Sequence, residues 1–281
     1  MRVGILGSTG FIGNHLTVAL RARGDEVVAL PSREPEAAAS QASSCDVIVN
    51  VAGEPVAQRW SDDVKRKIRE SRADAPRRFI EALRSLSGRP TSYISASAIG
   101  YYGTKQTHTL AESSPPGDDF LAEVCVAWEA TAHTAAELGM RVVILRTGVV
   151  LGKDGGAMEK LLPAFRAGVG GRVGSGKQWF SWIHIDDVVG LYMLAIDGSL
   201  DGAINATAPN PVTNAEFTKV LGSAVHRPTF FPVPMVALKA MLGEGADTVT
   251  QGQKVMPERA LAAGYTFAYP ELEQALREIA S

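Results

Sequence analysis

Met1-Arg2-Val3-Gly4-Ile5-Leu6-Gly7-Ser8-Thr9-Gly10-Phe11-Ile12-Gly13 opens the chain. Residues 2–6 form an apolar run that ends in a glycine. The glycines at 7, 10 and 13 then lead into apolar side chains at helical spacing, Phe11, Ile12, Leu16, Ala19 and Leu20. The order is strand, turn, helix. At such a junction glycines let the backbone turn sharply, approach a pyrophosphate and pack helix on strand, while the helix N-terminus offers N–H donors and partial positive charge. A GxxGxxG string alone is weak; in this position it predicts a dinucleotide site.

Working outward, Val- and Ile-rich runs follow at 26–30, 46–49, 93–95 and 141–145, each bounded by polar or helical segments. They read as strands buried on both faces. Their alternation with helices predicts an α/β fold, a doubly wound parallel sheet of Rossmann type. Ser61 can cap a helix to about Leu86, and Asp118 or Asp119 another to Leu138, with Gly139 just past its end. Residues 37–44 read as a short helix or loop. After Gly148 glycines mark loops, a strand and helix resume over 182–196, and prolines from 209 onward break the chain into short pieces. The expected division is a dinucleotide-binding domain over 1–150, with 179–206 returning to it, and a small C-terminal substrate-side lobe over 151–178 and 207–281.

Composition narrows the function classes. Of 281 residues, 46% are hydrophobic and 21% charged, and 28 Lys and Arg stand against 30 Asp and Glu. A core is affordable, and no broad positive field exists to attract nucleic acid or anionic lipid. Cys45 and Cys125, the two cysteines, make neither a disulfide framework nor a zinc cluster. With no secretory signal or membrane span in the hydropathy pattern, a cytoplasmic protein is expected.

The end of the second strand bears on the cofactor. It reads Ala29-Leu30-Pro31-Ser32-Arg33, with no acid before Glu34. An acidic residue there suits the ribose hydroxyls of NAD, whereas Ser32 and Arg33 suit a 2′-phosphate. NADP is favoured over NAD; the alternative is a solvated Arg33.

Further motifs carry a family resemblance: Ala52-Gly53-Glu54-Pro55, Ser95-Ala96-Ser97-Ala98-Ile99-Gly100-Tyr101-Tyr102-Gly103, Arg146-Thr147-Gly148-Val149-Val150-Leu151-Gly152, the run from Gln178 to Asp187, and Gly252-Gln253-Lys254-Val255. With the glycine loop, they resemble an extended short-chain dehydrogenase/reductase, in its atypical sugar-nucleotide epimerase-like branch, over essentially the whole chain. The resemblance implies that Gly7, Thr9, Gly10, Phe11, Ile12 and Gly13 hold the pyrophosphate and that Ser32 and Arg33 hold the adenosine phosphate. It also implies that Val51, Ala52 and Gly53 line the ribose side, that Arg72 contacts the cofactor, and that Gly148 and Val149 close over the nicotinamide. Arg72 also reads as one more charge on a solvated helix face.

The hydride chemistry of that superfamily resembles a serine, a tyrosine and a lysine acting together. Ser97, at the end of the fourth strand, fits the serine, unless it bonds only the backbone of a turn. Anchoring on Trp128-Glu129 puts Leu121 and Cys125 where the tyrosine and lysine belong. Cys125 is then a weak hydrogen-bonding or nucleophilic group, or plain core. Tyr101-Tyr102-Gly103-Thr104-Lys105 matches YxxxK but reads as loop, from which Tyr101 or Tyr102 is a replacement acid. Gly171-Arg172-Val173-Gly174-Ser175-Gly176-Lys177-Gln178 mimics a phosphate loop without the Ser or Thr that magnesium needs, and reads as a substrate-side loop. His184, Asp186 and Asp187 are too few for a metal site, and either aspartate suits a helix cap.

The leading expectation is an NADP(H)-binding epimerase or oxidoreductase acting on a nucleotide sugar or small carbonyl compound. The alternative is a non-catalytic NADP(H)-binding sensor or interaction protein. A homodimer through helices 61–86 and 119–138 follows from the resemblance.

Overall fold

The computed structural model describes residues 1–104 and 108–281, apart from the side chains of 235, 237, 239, 241 and 249. The chain runs through β1 (Arg2–Leu6), α1 (Phe11–Arg23), β2 (Glu26–Leu30), α2 (Pro35–Ala42), β3 (Val47–Asn50), α3 (Asp62–Arg69), α4 (Ala75–Arg84) and β4 (Ser92–Ala98). It continues with β5 (Thr109–Leu110), α5 (Phe120–His133), β6 (Arg141–Thr147), β7 (Val149–Gly152), β8 (Gly155–Gly156), α6 (Met158–Arg166), β9 (Trp179–Phe180), β10 (Trp182–His184), α7 (Ile185–Asp197) and β11 (Gly202–Ala206). The C-terminal elements are β12 (Val212–Thr213), α8 (Asn214–Ala224), α9 (Met235–Leu242), α10 (Asp247–Thr250), β13 (Lys254–Val255), α11 (Glu258–Ala262) and α12 (Leu272–Ala280).

Six strands form one sheet in the order β11-β6-β4-β3-β1-β2, with every neighbouring pair parallel. Helices cover both faces, so Val3, Ile5, Ile48, Val49, Ile94 and Ile144 are all buried along their strands. The chain leaves β1 for β2 on one side and returns to β3 on the other. The crevice at the C-terminal ends of β1 and β3 is therefore the switch point, where open α/β sheets take their ligands. The strand β11 lies outside the apolar runs read above. Gly202-Ala203-Ile204-Asn205-Ala206 has one large apolar side chain, and it is pairing with β6 that makes it a strand.

Local signals explain several helix ends. The Ser61 hydroxyl accepts from the Val64 N–H, and Asp119 accepts from Ala122. The helix after Ser61 is not continuous: residues Glu70–Asp74 form a π-helical turn between α3 and α4. Neither Asp186 nor Asp187 caps α7. The cap is His184, whose Nδ1 accepts from the Asp186 N–H at 3.2 Å. Asp187 is fully buried and accepts instead from the Ala268 and Tyr269 N–H groups at 2.7 and 2.9 Å. The glycine-rich stretch after 148 holds β7, β8 and α6 as well as loops.

Leu162, Phe165, Phe217, Leu221, Leu272 and Leu276 share a second core between α6, α8 and α12. The C-terminal stretch does not keep wholly to that side, because Ala260 and Phe267 pack into the core of the central sheet. No helix among the described residues is long and apolar enough to cross a membrane.

Candidate functional site

The turn after β1 is shaped for close approach. Gly7 has φ +86°, and a Cβ on Gly13 would stand 2.1 Å from the Gly7 carbonyl oxygen, so neither position accepts a side chain without rebuilding the turn. Gly10 is the N-cap of α1, with no side-chain cap and no acid in the first turn. The N–H groups of Phe11, Ile12 and Gly13 thus have no intrahelical acceptor, and the positive end of the helix faces outward. Thr9 and Gly10 are exposed at the rim. The Phe11 ring packs beneath the glycines at 152, 155 and 156, so its contribution to the cradle is its backbone.

Ser32 and Ala52 line one small crevice with Pro35, Asn50, Pro76 and Phe79, and Arg33 is exposed just beyond the end of β2. Asn50 shapes the turn after β3. Its Oδ1 accepts from the Ala52 N–H at 3.2 Å, and its Nδ2 donates to the Tyr93 hydroxyl at 2.9 Å. Arg72 comes from the π-helical turn, not from the solvated helix face. Its Nη1 donates to the Glu54 carbonyl at 2.9 Å, its guanidinium lies 5.1 Å from the Trp128 ring centroid, and a Cβ on Gly53 would meet it at 3.1 Å. Burial lowers its pKa from the ordinary arginine value. The fold thus brings Val51, Ala52, Gly53 and Arg72 to one side of the switch point. Backbone donors, a slot flanked by proline and phenylalanine, and an exposed guanidinium together fit a phosphorylated dinucleotide.

The proton-handling candidates are placed differently. The Ser97 hydroxyl is buried and donates to Glu129 Oε1 at 2.7 Å. Glu129 also receives Nε and Nη2 of Arg146, both at 2.8 Å. Arg146 Nη1 donates to the Tyr102 hydroxyl at 3.0 Å, which in turn donates to Asn205 Oδ1 at 2.7 Å. Burial opposes the Arg146 charge, but the Glu129 carboxylate and the Tyr102 oxygen outweigh it and raise its pKa. Burial, against the pull of Arg146 and Asn205, raises the Tyr102 phenol. Ser97 and Tyr102 are therefore joined in a buried network and do not open onto the crevice. Ser95 donates to the Ala96 carbonyl at 2.9 Å.

Cys125 is buried, and burial, with Glu129 nearby, pushes its thiol up to about 12. Leu121 and Cys125 sit beneath Gly100, in the short 3₁₀ turn Ile99–Tyr102. Tyr101 is half-buried with its ring 3.4 Å from the Arg146 guanidinium carbon, and its hydroxyl makes no hydrogen bond among the described residues. Lys105 of the YxxxK string lies outside the described residues.

Sequence reasoning missed Glu129, Arg146 and Asn205 as a unit. The available signal was the charge at 146 directly after the apolar run 142–145 of a buried strand, since a buried cation requires a buried anion. At the far end, Gly148 and Val149 are fixed by backbone bonds to Ala206 and Ser181 at 3.0 and 2.9 Å. Val149 opens onto a cavity with Ile99, Ser181 and Gln253. Residues 171–178 lead into β9, not a helix, and contribute Gly171, Val173 and Gln178 to that cavity. His184 Nε2 meets Glu278 at 3.1 Å.

A model of the NAD dependent epimerase/dehydratase family matches residues 3–206, and a domain of unknown function, DUF1731, matches residues 233–279. The chain belongs to the NAD dependent epimerase/dehydratase family. This family member is 43% identical over 301 residues to the epimerase family protein SDR39U1 homolog, chloroplastic, of Arabidopsis thaliana, covering 99% of this chain and 86% of that one. The crystal structure of human epimerase family protein SDR39U1 (isoform 2) with NADPH matches it with a TM-score of 0.92 at 38% identity, over 100% of this chain and 99% of that one. UDP-glucose 4-epimerase of Thermotoga maritima, 18% identical, shares the fold with a TM-score of 0.83, over 100% of this chain and 97% of that one. Within this epimerase-family chain the dinucleotide cradle falls in the first matched region. The cavity also draws Thr248, Gln251, Gly252 and Gln253 from the second.

Proposed function

We propose that this chain binds NADP(H) across the switch point and exchanges hydride with a small carbonyl or alcohol compound at the ends of β4 and β6. The observation that carries the reading is the glycine-lined cradle at the start of α1, with Arg33 exposed at the end of β2. The NADPH in the human relative's structure supports the same choice. In this reading Gly7 to Gly13 hold the diphosphate, Ser32 and Arg33 the adenosine phosphate, Val51 to Gly53 and Arg72 the ribose side, and Gly148 and Val149 the nicotinamide side. When bound, NADPH supplies a hydride to the carbonyl carbon while the oxygen takes a proton, giving an alcohol and NADP⁺. Tyr101 is the remaining candidate proton donor. Residues 1–150 with 179–206 carry the cofactor, and 151–178 with 207–281 close the substrate side.

Titrating the intrinsic tryptophan fluorescence with NADPH and with NADH tests the cofactor. Tighter NADPH binding is expected, and Arg33→Ala should cut that preference by roughly 10- to 100-fold, as the loss of a charge-assisted hydrogen bond requires. Equal affinities in the unaltered chain would refute the assignment. A second reading, cofactor binding without turnover, is favoured by Leu121 and the neutral Cys125 thiol. NADPH consumption over a carbonyl panel, repeated with Tyr101→Phe, separates the two. We also propose a reducing, cytoplasmic setting, supported by the free thiols of Cys45 and Cys125, and a homodimer through the helical segments 61–86 and 119–138, supported by exposed Val126. Light scattering reads the dimer directly, and loss of folding on forced oxidation would support the setting.

A further inference from the structure

Between α6, β7, β9 and α8 a cavity of about 250 Å³ opens where β4 and β6 end. Its walls are Ile99, Val149, Leu161, Phe165, Phe180 and Phe217, with the Phe180 and Phe217 rings 4.3 Å apart between centroids. Among the described lining residues Lys160 is the one charged side chain. It is exposed at the mouth, where its Nζ donates to the Ala57 carbonyl at 2.9 Å.

Four buried polar side chains, all neutral, interrupt these walls: Ser181 is committed to the Gln253 carbonyl and Asn214 to the Val173 N–H, which leaves Thr218 and Gln253. Thr218, 3% exposed, makes no side-chain hydrogen bond to any described residue. Gln253, 7% exposed, donates Nε2 to the Ile99 carbonyl at 3.4 Å, which leaves its Oε1 without a partner among the described residues. The Thr218 hydroxyl and Gln253 Oε1, without partners among the described residues, are available to a molecule in the cavity. An apolar cavity with a few convergent neutral polar groups is the usual form of a small-molecule site.

We infer that this cavity binds a small, uncharged, largely apolar carbonyl or alcohol compound, anchored through Thr218 and Gln253, and excludes nucleoside-diphosphate sugars. A diphosphate brings negative charge that must be met by buried cations or backbone donors, and these walls present mainly aromatic and aliphatic carbon with neutral hydroxyl and amide groups. The volume also lies below the ~300–1,000 Å³ of sites for drug-sized ligands, which limits the occupant to about one or two rings. The inference rests on the proposed function only for the cofactor sharing the crevice.

The test uses the full chain, with and without saturating NADP⁺. Ligand-detected NMR and calorimetry measure binding of cyclohexanone, acetophenone and UDP-glucose. Binding of either ketone, with none of UDP-glucose, is the expected result. Thr218→Val should weaken the ketone by roughly 2- to 10-fold, the loss of one neutral hydrogen bond. Leu161→Trp, which fills the cavity from α6, should abolish ketone binding while leaving NADPH affinity unchanged. UDP-glucose binding at least as tightly as the ketones, ketone binding unaltered by Leu161→Trp, or no ketone binding in either cofactor state overturns the inference. Ketone binding in a chain without NADPH affinity supports this site while removing the proposed cofactor function.

Discussion

Cys125 occupies a position where the superfamily resemblance expects a cation, and burial determines what it can do there. With the thiol pushed up to about 12, it is neutral at physiological pH and a poor nucleophile. The folded chain keeps that proton where the unfolded chain loses it. Its stabilising contribution is complete below the unfolded thiol's pKa, about 8.5, and is lost as pH rises from there toward about 12. Denaturant midpoints at pH 7.5 and pH 10 should therefore fall more in the unaltered chain than in Cys125→Ala, and native Cys125 should resist iodoacetamide at pH 8. The Glu129–Arg146 pair offers a sharper test. Glu129→Leu or Arg146→Met alone leaves a buried charge unpaired and should cost about 3–5 kcal/mol; the double replacement should cost less than the sum, read from urea unfolding. Each member of that pair was visible in the sequence as a single letter. Their partnership was not, because it joins α5 to β6 and depends on packing.

The legibility of an element followed how local its cause is. Ser61, Asp119 and Gly139 mark helix ends through bonds within a few residues, so those ends could be read in advance. The π-helical turn has no comparable local signature, yet it directs Arg72 toward Gly53. One extra residue per turn is the kind of insertion that recurs at functional sites. Deleting Ala73 should restore α-helical phase and rotate Arg72 by about 100° out of the site. Helix content by circular dichroism should hold, while NADPH affinity falls at least 10-fold. The strand β11 was illegible because it depends on β6, which lies far away in sequence; the His184 cap is local, but histidine is not among the residue types that mark a helix start.

At the scale of the molecule, the C-terminal stretch is more than an appendage. Prolines suggested an irregular lobe, but Asp187 on α7 holds the backbone at 268 and 269, Phe267 enters the sheet core, and Leu272, Leu276 and Ile279 complete the core under α8. Burying such side chains contributes about 1.5–3 kcal/mol each, which together rivals the about 5–15 kcal/mol that holds a typical domain folded. A chain truncated after Met256 should show no cooperative thermal transition and should bind dye for exposed apolar surface.

The carbon-walled cavity beside a cationic dinucleotide cleft sets up two attractions that respond to electrolyte in opposite ways. In the proposed reading, added salt screens the pull of Arg33 and the α1 terminus on phosphate, whereas strongly hydrated anions such as sulfate tighten the burial of carbon surface. On the proposed assignments, low ionic strength should favour the coenzyme and concentrated sulfate its neutral companion, which the affinities of each measured against salt would check.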